Sequence, residues 1–400
     1  MNWPTKNLEA VADFCLGKML DEKKNRGEFL PYLANLNVRW GEFELGNLRE
    51  MRFEPHEMER YGLKYGDIVM CEGGEPGRCA IWKEQKPGMM IQKALHRIRP
   101  HICLDHRYLY YTFLQMGHSG RFSPLFTGAT IKHLPRQQLT KVELEVPPPA
   151  IQKRIADILS AYDDLIENNR RRIQLLEHAA RLLYKEWFVH LRFPGHEHVK
   201  VVDGVPGGWE RMKIAEICET IGGGTPSTKV SEYWEGDITW VAPSDITKND
   251  CLALLDSERK ITEKGLRESS AKMVPSETIL MTSRASVGFF ALMDVEVCTN
   301  QGFINIIPHE DDLRMYLLFN FMSRVTEIRS NAKVTTYPEI SKGRFRGMDV
   351  VIPSNTLARD FARFASDIIQ QVRYLKRSSV QLAKARNLLL PRLINGEITV

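Results

Sequence analysis

Residues 146–165 read VPPPAIQKRIADILSAYDDL, and residues 352–371 read IPSNTLARDFARFASDIIQQ. The second segment begins 206 residues after the first, and each closes a strand-rich stretch and opens a long helical one. The same offset carries Trp3 onto Trp209 and runs without a gap through both helical stretches, where it carries Leu176 onto Leu382. Solenoid units are much shorter, about 20–50 residues. The sequence therefore predicts a duplicated domain with a helix attached to each copy.

Each half consists of short strand-like runs separated by turn signals before its long helix. The offset rises to 211 between residues 67 and 278 and later returns to 206, which places insertions in surface loops of the strand-rich parts. We therefore predict an α+β fold with two tandem mixed α/β domains, each followed by a long helix, and a pseudo-twofold internal repeat. The predicted strands lie at 30–33, 67–71, 79–82, 142–146, 238–242, 278–281 and 348–352, with shorter helices at 104–116 and 312–325.

The two long helices, predicted at about 151–189 and 357–390, carry apolar residues on a shared seven-residue frame. This frame favours pairing of the helices as a coiled coil, although Arg172 interrupts it; the alternative is that each helix packs only on its own domain. The predicted pairing residues are Ile155, Ile158, Tyr162, Leu165, Asn169, Leu176, Leu183, Phe361, Phe364, Ile368, Leu375, Leu382 and Leu389.

The repeat also predicts the domain borders. The first domain is expected at 1–150, its helix at 151–192, a Gly- and Pro-rich linker at 193–208, the second domain at 209–355, and the second helix with a tail at 356–400.

Composition excludes several classes of protein. No apolar run reaches the roughly 18–20 residues of a membrane span, and the N-terminus has no signal-peptide layout, so we expect a cytoplasmic protein. The seven cysteines form no CxxC pair and are expected to be reduced thiols. The formal net charge of +5 is too small to identify a polyanion-binding protein by itself.

Recognisable catalytic motifs are missing as well. Residues 222–226, GGGTP, lack the lysine of a phosphate-binding loop, and no Asn/Asp-Pro-Pro-aromatic motif of an amino-methyltransferase occurs. The histidines at 190, 196 and 198 lack suitably spaced carboxylate or cysteine partners, so no metal site is predicted. We expect no catalytic residue and no cofactor bound by this chain.

Four segments resemble the specificity (S) subunit of type I restriction–modification systems, and the resemblance covers nearly the whole chain. They are PPPAIQKRIADIL at 147–159 followed by DDLIENNRR at 163–171, LYKEWF at 183–188 with RFPG at 192–195, LLLPRLINGEI at 388–398, and GGTPS at 223–227 with YW at 233–234 and ITW at 238–240. The resemblance implies that each strand-rich half is a target-recognition domain that reads one half of a split, asymmetric DNA sequence, and that the helices pack antiparallel as a spacer.

The resemblance also implies partners. Two modification (methyltransferase) subunits would bind around the helices and restriction subunits would join them. S-adenosylmethionine would bind the methyltransferase subunits, and ATP and Mg²⁺ the restriction subunits. The assembled complex would be a DNA adenine methyltransferase and ATP-dependent endonuclease, while the specificity subunit itself would be non-catalytic. Two alternatives remain, namely an enzyme with unfamiliar motifs (a nuclease or methyltransferase) and an assembly scaffold without sequence readout.

Base readout requires polar or cationic side chains on loops that enter a DNA groove. Loops at matching positions of the two halves supply the candidates, and the interpretation of any one as an ordinary polar loop residue stays open. The candidate DNA-binding residues are Arg39, Trp40, Arg78, Gln92, Lys93, Arg121, Thr127, Thr130, Lys132, Thr225, Ser227, Thr228, Lys229, Arg284, Ser286, Asn300, Gln301, Lys333, Thr335, Thr336 and Tyr337.

The basic run at 170–172 and its counterpart at 376–377 form a further candidate patch in the middle of the helices. A solvated face or a contact with a partner subunit is the favoured interpretation, and a contact with phosphates of unread DNA is the alternative.

Overall fold

The computed structural model describes residues 3–21, 25–334 and 337–400. The chain divides into two compact units: 1–165 together with 381–400, and 166–380. Each unit therefore contains one strand-rich domain and a part of each long helix. The borders predicted from the repeat are a different division of the chain, and they stay a prediction.

The first unit is built from nine strands and three short helices in its described part, followed by the start of the first long helix. The strands are β1 Thr5–Asn7, β2 Ala12–Leu16, β3 Glu28–Leu33, β4 Arg49–Phe53, β5 Ile68–Cys71, β6 Cys79–Ile81, β7 Met90–Ile91, β8 Leu95–Pro100 and β9 Glu143–Glu145; the helices are α1 Pro55–Tyr61, α2 His106–His118, α3 Arg136–Leu139 and α4 Pro149–Tyr184.

Three sheets organise this domain. Strands β2, β8, β5 and β6 form an antiparallel sheet in that order; β4, β3 and β7 form a second sheet; β1 pairs with β9. The core lies between the first sheet and α2, whose aromatic side chains are buried as the sequence predicts. Ile155 and Leu159 of α4 join this core.

The second unit repeats this plan with additional short strands. The strands are β10 Val201–Val202, β11 Val205–Pro206, β12 Glu210–Lys213, β13 Cys218–Gly222, β14 Trp234–Val241, β15 Arg259–Ile261, β16 Met273–Val274, β17 Ile279–Thr282, β18 Phe290–Ala291, β19 Val297–Thr299, β20 Phe303–Pro308, β21 Lys333–Val334, β22 Pro338–Glu339 and β23 Asp349–Ile352; the helices are α5 Ile214–Ile217, α6 Pro243–Thr247, α7 Glu263–Arg267, α8 Arg314–Ser323, α9 Val325–Ser330, α10 Lys342–Arg346 and α11 Asn355–Ile394.

The strand order of the second unit matches that of the first. Strands β13, β20, β17 and β18 form the counterpart of the β2-β8-β5-β6 sheet, and β15, β14, β19 and β16 form a sheet that extends the β4-β3-β7 pattern by one strand. β12 pairs with β23 as β1 pairs with β9. The internal repeat read from the sequence is therefore also a repeat of topology.

The first long helix starts where three prolines end the strand-rich part, and Pro149 occupies its first turn, where a missing amide hydrogen costs nothing. The buried Gln152 fixes this start, since its Nε2 donates to the carbonyl oxygens of Pro147 at 2.8 Å and Cys103 at 3.0 Å. A π-helical turn at Lys185–Val189 ends the helix. α11 continues through Pro391 to Ile394, beyond the predicted end, because Leu393 and Ile394 are buried in the core of the first unit.

Contacts inside the second unit show that the two helices pack antiparallel there. Asn169 Nδ2 donates to Ser379 Oγ at 3.3 Å, Ile173 shares a buried cluster with Val372, and the rings of Trp187 and Phe364 meet edge to face with centroids 6.3 Å apart. Residue numbers rise along α4 as they fall along α11. In the first unit, Asp163 of α4 pairs with Arg386 of α11.

One predicted row of pairing residues lies on the packed face, whereas the other row is more exposed, although its Phe364 contacts Trp187 of the first helix. Ile158 is 37% exposed, Leu165 53% and Phe364 47%. The adjacent positions are buried, and they are occupied by Leu159, Ile173, Ala180, Ala365 and Val372, of which Leu159 and Ala365 are 206 residues apart. In a heptad repeat the spacing between core positions alternates between three and four residues. Apolar residues occur in this chain at both spacings, as at Ile158 and Leu159, so the sequence pattern could not show which of the two rows is buried.

Among the described helices, none combines the length and the apolar character that a membrane crossing requires. All seven cysteines are free thiols, and six of them are buried.

Candidate nucleic-acid interface

Three loops of the second domain leave the same edge of its first sheet. Thr282, the last residue of β17, pairs with Phe303, the first residue of β20, and Gly222 at the end of β13 pairs with Ile304. The loops at 223–229, 283–288 and 299–302 therefore begin side by side. Residues 337–339 join them, because Ala285 N donates to Pro338 O at 2.9 Å. These four segments are called the second loop edge.

The loop at 223–229 is held in place by two tryptophans of β14. Trp240 Nε1 donates to Gly224 O at 2.9 Å and Trp234 Nε1 donates to Ser227 O at 3.1 Å. A Cβ at Gly223 would lie 2.0 Å from Asn300 O, so only glycine permits this approach of two loops. Ser227, together with Thr228 and Lys229, is consequently exposed on a fixed turn.

Polar side chains from two of these loops form one hydrogen-bonded group. Asn300 Nδ2 donates to Thr225 Oγ1 at 3.0 Å, and Thr225 Oγ1 donates to Gln301 Oε1. Gly302 N donates to Asn300 Oδ1 at 2.8 Å and fixes the orientation of that amide. The structure therefore brings together three candidate residues that the sequence proposed in two separate loops.

Arg284 lies beside this group on the second loop edge. A Cβ at Gly302 would lie 3.8 Å from Arg284 Cβ, and Arg284 Nε lies 3.8 Å from Glu339 Oε2. Both partners of this ion pair are about half exposed, which makes it a weak, solvent-screened contact. Ser286 is half-buried in the same turn and donates its backbone N–H to Arg284 O at 2.7 Å. The guanidinium of Arg284 can thus leave Glu339 to bind an incoming acceptor.

The first domain has a matching edge, called the first loop edge, made of the loops at 17–21, 72–78, 92–94 and 127–133. Leu16 pairs with His96 and Cys71 with Leu95, in the same register as the second domain. His133 pairs with Gly73 and with Thr127, which brings the 127–133 loop onto the 72–78 loop. A groove of about 650 Å³ lies here, lined by Trp40, Gly74, Glu75, Pro76, Arg78, Phe126, Thr130, Ile131 and Lys132.

Several predicted residues of the first domain contact the protein itself, and their role in DNA binding stays a prediction. The Arg78 side chain is 11% exposed and bonds Glu75 at 2.7 Å and Asn35 O at 3.1 Å, because its loop folds back over β5. The ring of Trp40 packs so close to α2 that a Cβ at Gly117 would lie 2.6 Å from it.

Arg39 forms an ion pair with Glu44 at 2.8 Å, so it too is partly engaged within the protein. Gln92 and Lys93 take part in the edge through their backbone, since Gln92 N donates to Leu33 O at 3.0 Å and Lys93 N to Lys18 O at 2.8 Å.

Other predicted cations are exposed and available. Within the described ranges, Lys132, Arg121 and Lys229 are exposed and form no ion pair. Lys333 and Tyr337 are also exposed, the latter by 58%. Thr335 and Thr336 lie outside the described residues.

The basic residues in the middle of the helices have partners that the sequence did not reveal. Lys376 donates to Asp250 and Arg377 to Asp294, both in loops of the second domain, and Arg170 Nε lies 3.8 Å from Asp250. Partial burial alone would raise the pKa of the Asp250 and Asp294 carboxyls. Hydrogen bonds from Lys376 and Arg377 outweigh this effect, so both pKa values lie below the ordinary value. Arg377 is still 55% exposed, whereas Lys376 is 22% exposed, and no local sequence signal pointed to the distant carboxylates that both residues bind.

No group of three or more His, Cys, Asp or Glu side chains able to hold a metal ion occurs in the described part of the chain. The chemistry that the two loop edges offer is hydrogen bonding and positive charge, which are the interactions by which proteins bind phosphates and base edges.

Two copies of one domain, each presenting polar loops at the same edge of the same sheet, define a protein with paired recognition modules. The family model described as "Type I restriction modification DNA specificity domain" matches residues 2–178 and again residues 206–378. The chain therefore belongs to this family, and the resemblance and fold class expected from the sequence are confirmed.

Curated relatives carry the same description. A stretch of 152 residues is 38% identical to the type I restriction enzyme MjaIX specificity subunit of Methanocaldococcus jannaschii and covers 38% of this chain and 35% of that subunit. The HindI specificity subunit of Haemophilus influenzae is 23% identical over 334 residues, 67% of this chain and 72% of that subunit. The chain thus matches about a third of the first relative's length.

A solved structure shares the fold over nearly the full length. The crystal structure of the type I restriction–modification S subunit from M. genitalium superposes with a TM-score of 0.59 at 17% identity, covering 98% of this chain and 96% of that one.

Proposed function

We propose that this chain is the DNA-reading subunit of a type I restriction–modification complex, and that each domain reads one half of a split, asymmetric DNA sequence. The family match to both halves supports this proposal. In it the chain is non-catalytic, remains in the cytoplasm with the DNA, and directs methylation, and cleavage where restriction subunits are present, by its partners.

The observation that carries the proposal is that the two domains share the same strand order but carry different side chains on the corresponding loops. The loop after β13 exposes Ser227, Thr228 and Lys229, whereas the corresponding loop after β2 exposes Met19 and Leu20. Equal scaffolds allow two domains to approach duplex DNA in equivalent poses, while different side chains select different base edges. An asymmetric target is the expected result.

The candidate base-reading groups follow from exposure and position. In the second domain they are Arg284, Thr225, Asn300 and Gln301, which lie together. In the first domain Lys132 is the exposed cation of the groove. The remaining exposed cations on the loops suit phosphates, which supply affinity without sequence preference.

Apolar side chains on the outer faces of the long helices support the binding of partner subunits. Leu182 on α4 is 48% exposed and Leu388 on α11, at the matching position of the repeat, is 73% exposed. Exposed apolar residues that recur at equivalent positions suit two copies of the same partner. We propose two methyltransferase subunits, which would bind S-adenosylmethionine, and restriction subunits, which would use ATP and Mg²⁺.

Exchange of one domain tests this proposal. Residues 209–355 would be replaced by the second domain of another family member, and methylation would be mapped in a genome that carries the chain and its methyltransferase partner. We expect one half of the methylated sequence to change and the other half to stay. A target that changes in both halves, or in neither, would contradict the proposal.

Two controls address the alternative functions. The purified chain is incubated with DNA and either S-adenosylmethionine or Mg²⁺, and methylation or cleavage without partners would indicate an enzyme. DNA binding with the methyltransferase partner is then measured at several salt concentrations. Binding that lacks both sequence preference and salt dependence would indicate an assembly scaffold.

A further inference from the structure

We propose that three carboxylates at the end of the second domain opposite its loop edge hold helix α11 in one pose, and thereby set the separation at which the two half-sites are read. They are Asp250, Glu277 and Asp294, called the acidic clamp. The idea rests on the proposed function, because it concerns the spacing between half-sites.

The central contact of the clamp is a two-pronged ion pair. Arg373 of α11 is only 1% exposed; its Nη1 lies 2.6 Å from Glu277 Oε1, and its Nη2 donates to Oε2 at 2.7 Å. Two parallel bonds fix the plane of the guanidinium as well as its distance. Arg373 Nε has no hydrogen-bond partner among the described residues, so Glu277 is the main partner for the buried charge.

Two further cations extend the clamp along the same face of the helix. Lys376 donates to Asn249 Oδ1 at 2.8 Å and to Asp250, while Arg377 donates to Asp294. The helix residues are three and four positions after Arg373, so all three cations project from one face. Contacts at several points along a helix restrict both its rotation and its tilt against the domain.

The sheet connects the clamp directly to the second loop edge. Glu277 precedes β17 and Asp294 follows β18, and Glu277 N donates to Met293 O at 2.7 Å, so both carboxylates lie at the same end. Arg284 follows β17 at the opposite end, separated from Glu277 by about 23 Å of extended chain at most. A rotation of the domain on α11 would therefore move the reading loops along the DNA.

The backbone conformation at Glu277 is one that favours glycine, so the turn itself does not account for a glutamate there. Glu277 has a φ of +63°, in the left-handed region that disfavours residues other than glycine. The matching residue of the first domain, 211 positions earlier, is Gly66 with a φ of +85°. The second domain thus has a glutamate where the same turn in the first domain has the favoured glycine.

Stability alone is a weak explanation for the clamp. Ion pairs between exposed groups contribute little, and buried pairs often stabilise a fold no more than apolar residues of the same size would. Such pairs are better known for selecting one arrangement among several. The clamp fits this second role.

The test uses the full chain assembled with its methyltransferase subunits. Methylation is measured on duplexes with both half-sites kept constant and the spacer between them varied by single base pairs. Glu277→Gly, which copies the turn of the first domain, and Arg373→Leu are the variants, and Glu232→Gln is the control, because Glu232 pairs with Lys264 at 2.5 Å within the domain.

We expect each clamp variant to lower the preference for the best spacer over its neighbours by about tenfold, the factor that corresponds to the lower end of the coupling energies of close charge pairs, with unchanged base preference in both half-sites. The control should keep the wild-type preference. A spacer preference that stays at the wild-type ratio in both folded variants would overturn the proposal, as would a uniform loss of methylation at every spacer. A wild-type complex without any bipartite preference would instead overturn the proposed function itself.

Discussion

Replacement of Arg284 by alanine tests the second loop edge most directly. The Arg284 side chain is 52% exposed and its partner Glu339 is 50% exposed, with 3.8 Å between the charged atoms. A pair of this kind contributes about 0–1 kcal/mol to stability, so the guanidinium can exchange Glu339 for a base at little cost. If Arg284 forks the O6 and N7 of a guanine, its loss should weaken binding by about 1–3 kcal/mol, or roughly 5–150-fold in Kd.

The loss should be confined to one base pair of one half-site. We would measure Kd by fluorescence anisotropy with the methyltransferase-bound chain, on duplexes substituted at each base pair in turn. The variant should bind the cognate duplex and the duplex changed at that base pair with nearly equal affinity. The free energy of unfolding should change by about 0.5 kcal/mol or less, because the side chain is on the surface.

Arg359 provides a matched control, since it is also an exposed arginine of the second unit and pairs with Asp312 at 2.8 Å. Asp312 follows β20, which ends away from the loop edge. Arg359→Ala should leave every base preference unchanged. If Arg284→Ala bound all duplexes as the wild type does, the assignment of Arg284 to base reading would be refuted. A uniform weakening with a smaller salt slope would assign it to a phosphate instead.

Four other outcomes are expected. Phe361→Ala should destabilise the second unit by about 3–5 kcal/mol in urea unfolding, because the ring is fully buried among aromatic side chains; a loss below 1 kcal/mol would contradict the packing. Burial raises the pKa of Glu177 above its ordinary value, so the stability of the wild type falls as the pH rises through this raised pKa. The Tm of Glu177→Gln should therefore increase relative to that of the wild type as the pH increases. A Tm difference that does not depend on pH would argue against this. Leu182→Lys and Leu388→Lys should each remove one of two methyltransferase subunits in native mass spectrometry, and loss of both subunits from either variant would exclude equivalent sites. Insertion of four residues in both helices adds about 6 Å of rise and should lengthen the preferred spacer by about two base pairs. An unchanged spacer with intact binding would refute the idea that the length of the helices sets the spacing between the half-sites.

Much of the fold could be predicted because its signals are local or repeated. The prolines at 147–149 mark the start of α4, and turn residues separate the predicted strands. The offset of 206 then transfers each assignment from one half to the other. The second row of helix contacts could not be predicted, because Ile158 and Leu159 are both apolar and only the packing shows which one is buried.

The candidate site was less predictable, because its residues come together from distant loops. Sequence comparison of the halves located the loops that contain Thr225, Arg284 and Asn300, and the register of three strands explains why they meet. The same comparison could not show that Arg78 bonds within its own loop. Nor could it show that Lys376 binds Asp250, since the two lie 126 positions apart and nothing local marks the pair.

The core of the first unit has a consequence for folding during synthesis. Leu390, Leu393 and Ile394 are buried together with Leu8 and Ile98, so the first strand-rich domain lacks part of its core until residues 390–394 have been made. Domains usually fold in the order of their synthesis. Here the first unit can become fully stable only after residues 390–394 have been made, and a chain that is released before that point would have a second unit that folds and a first unit that does not.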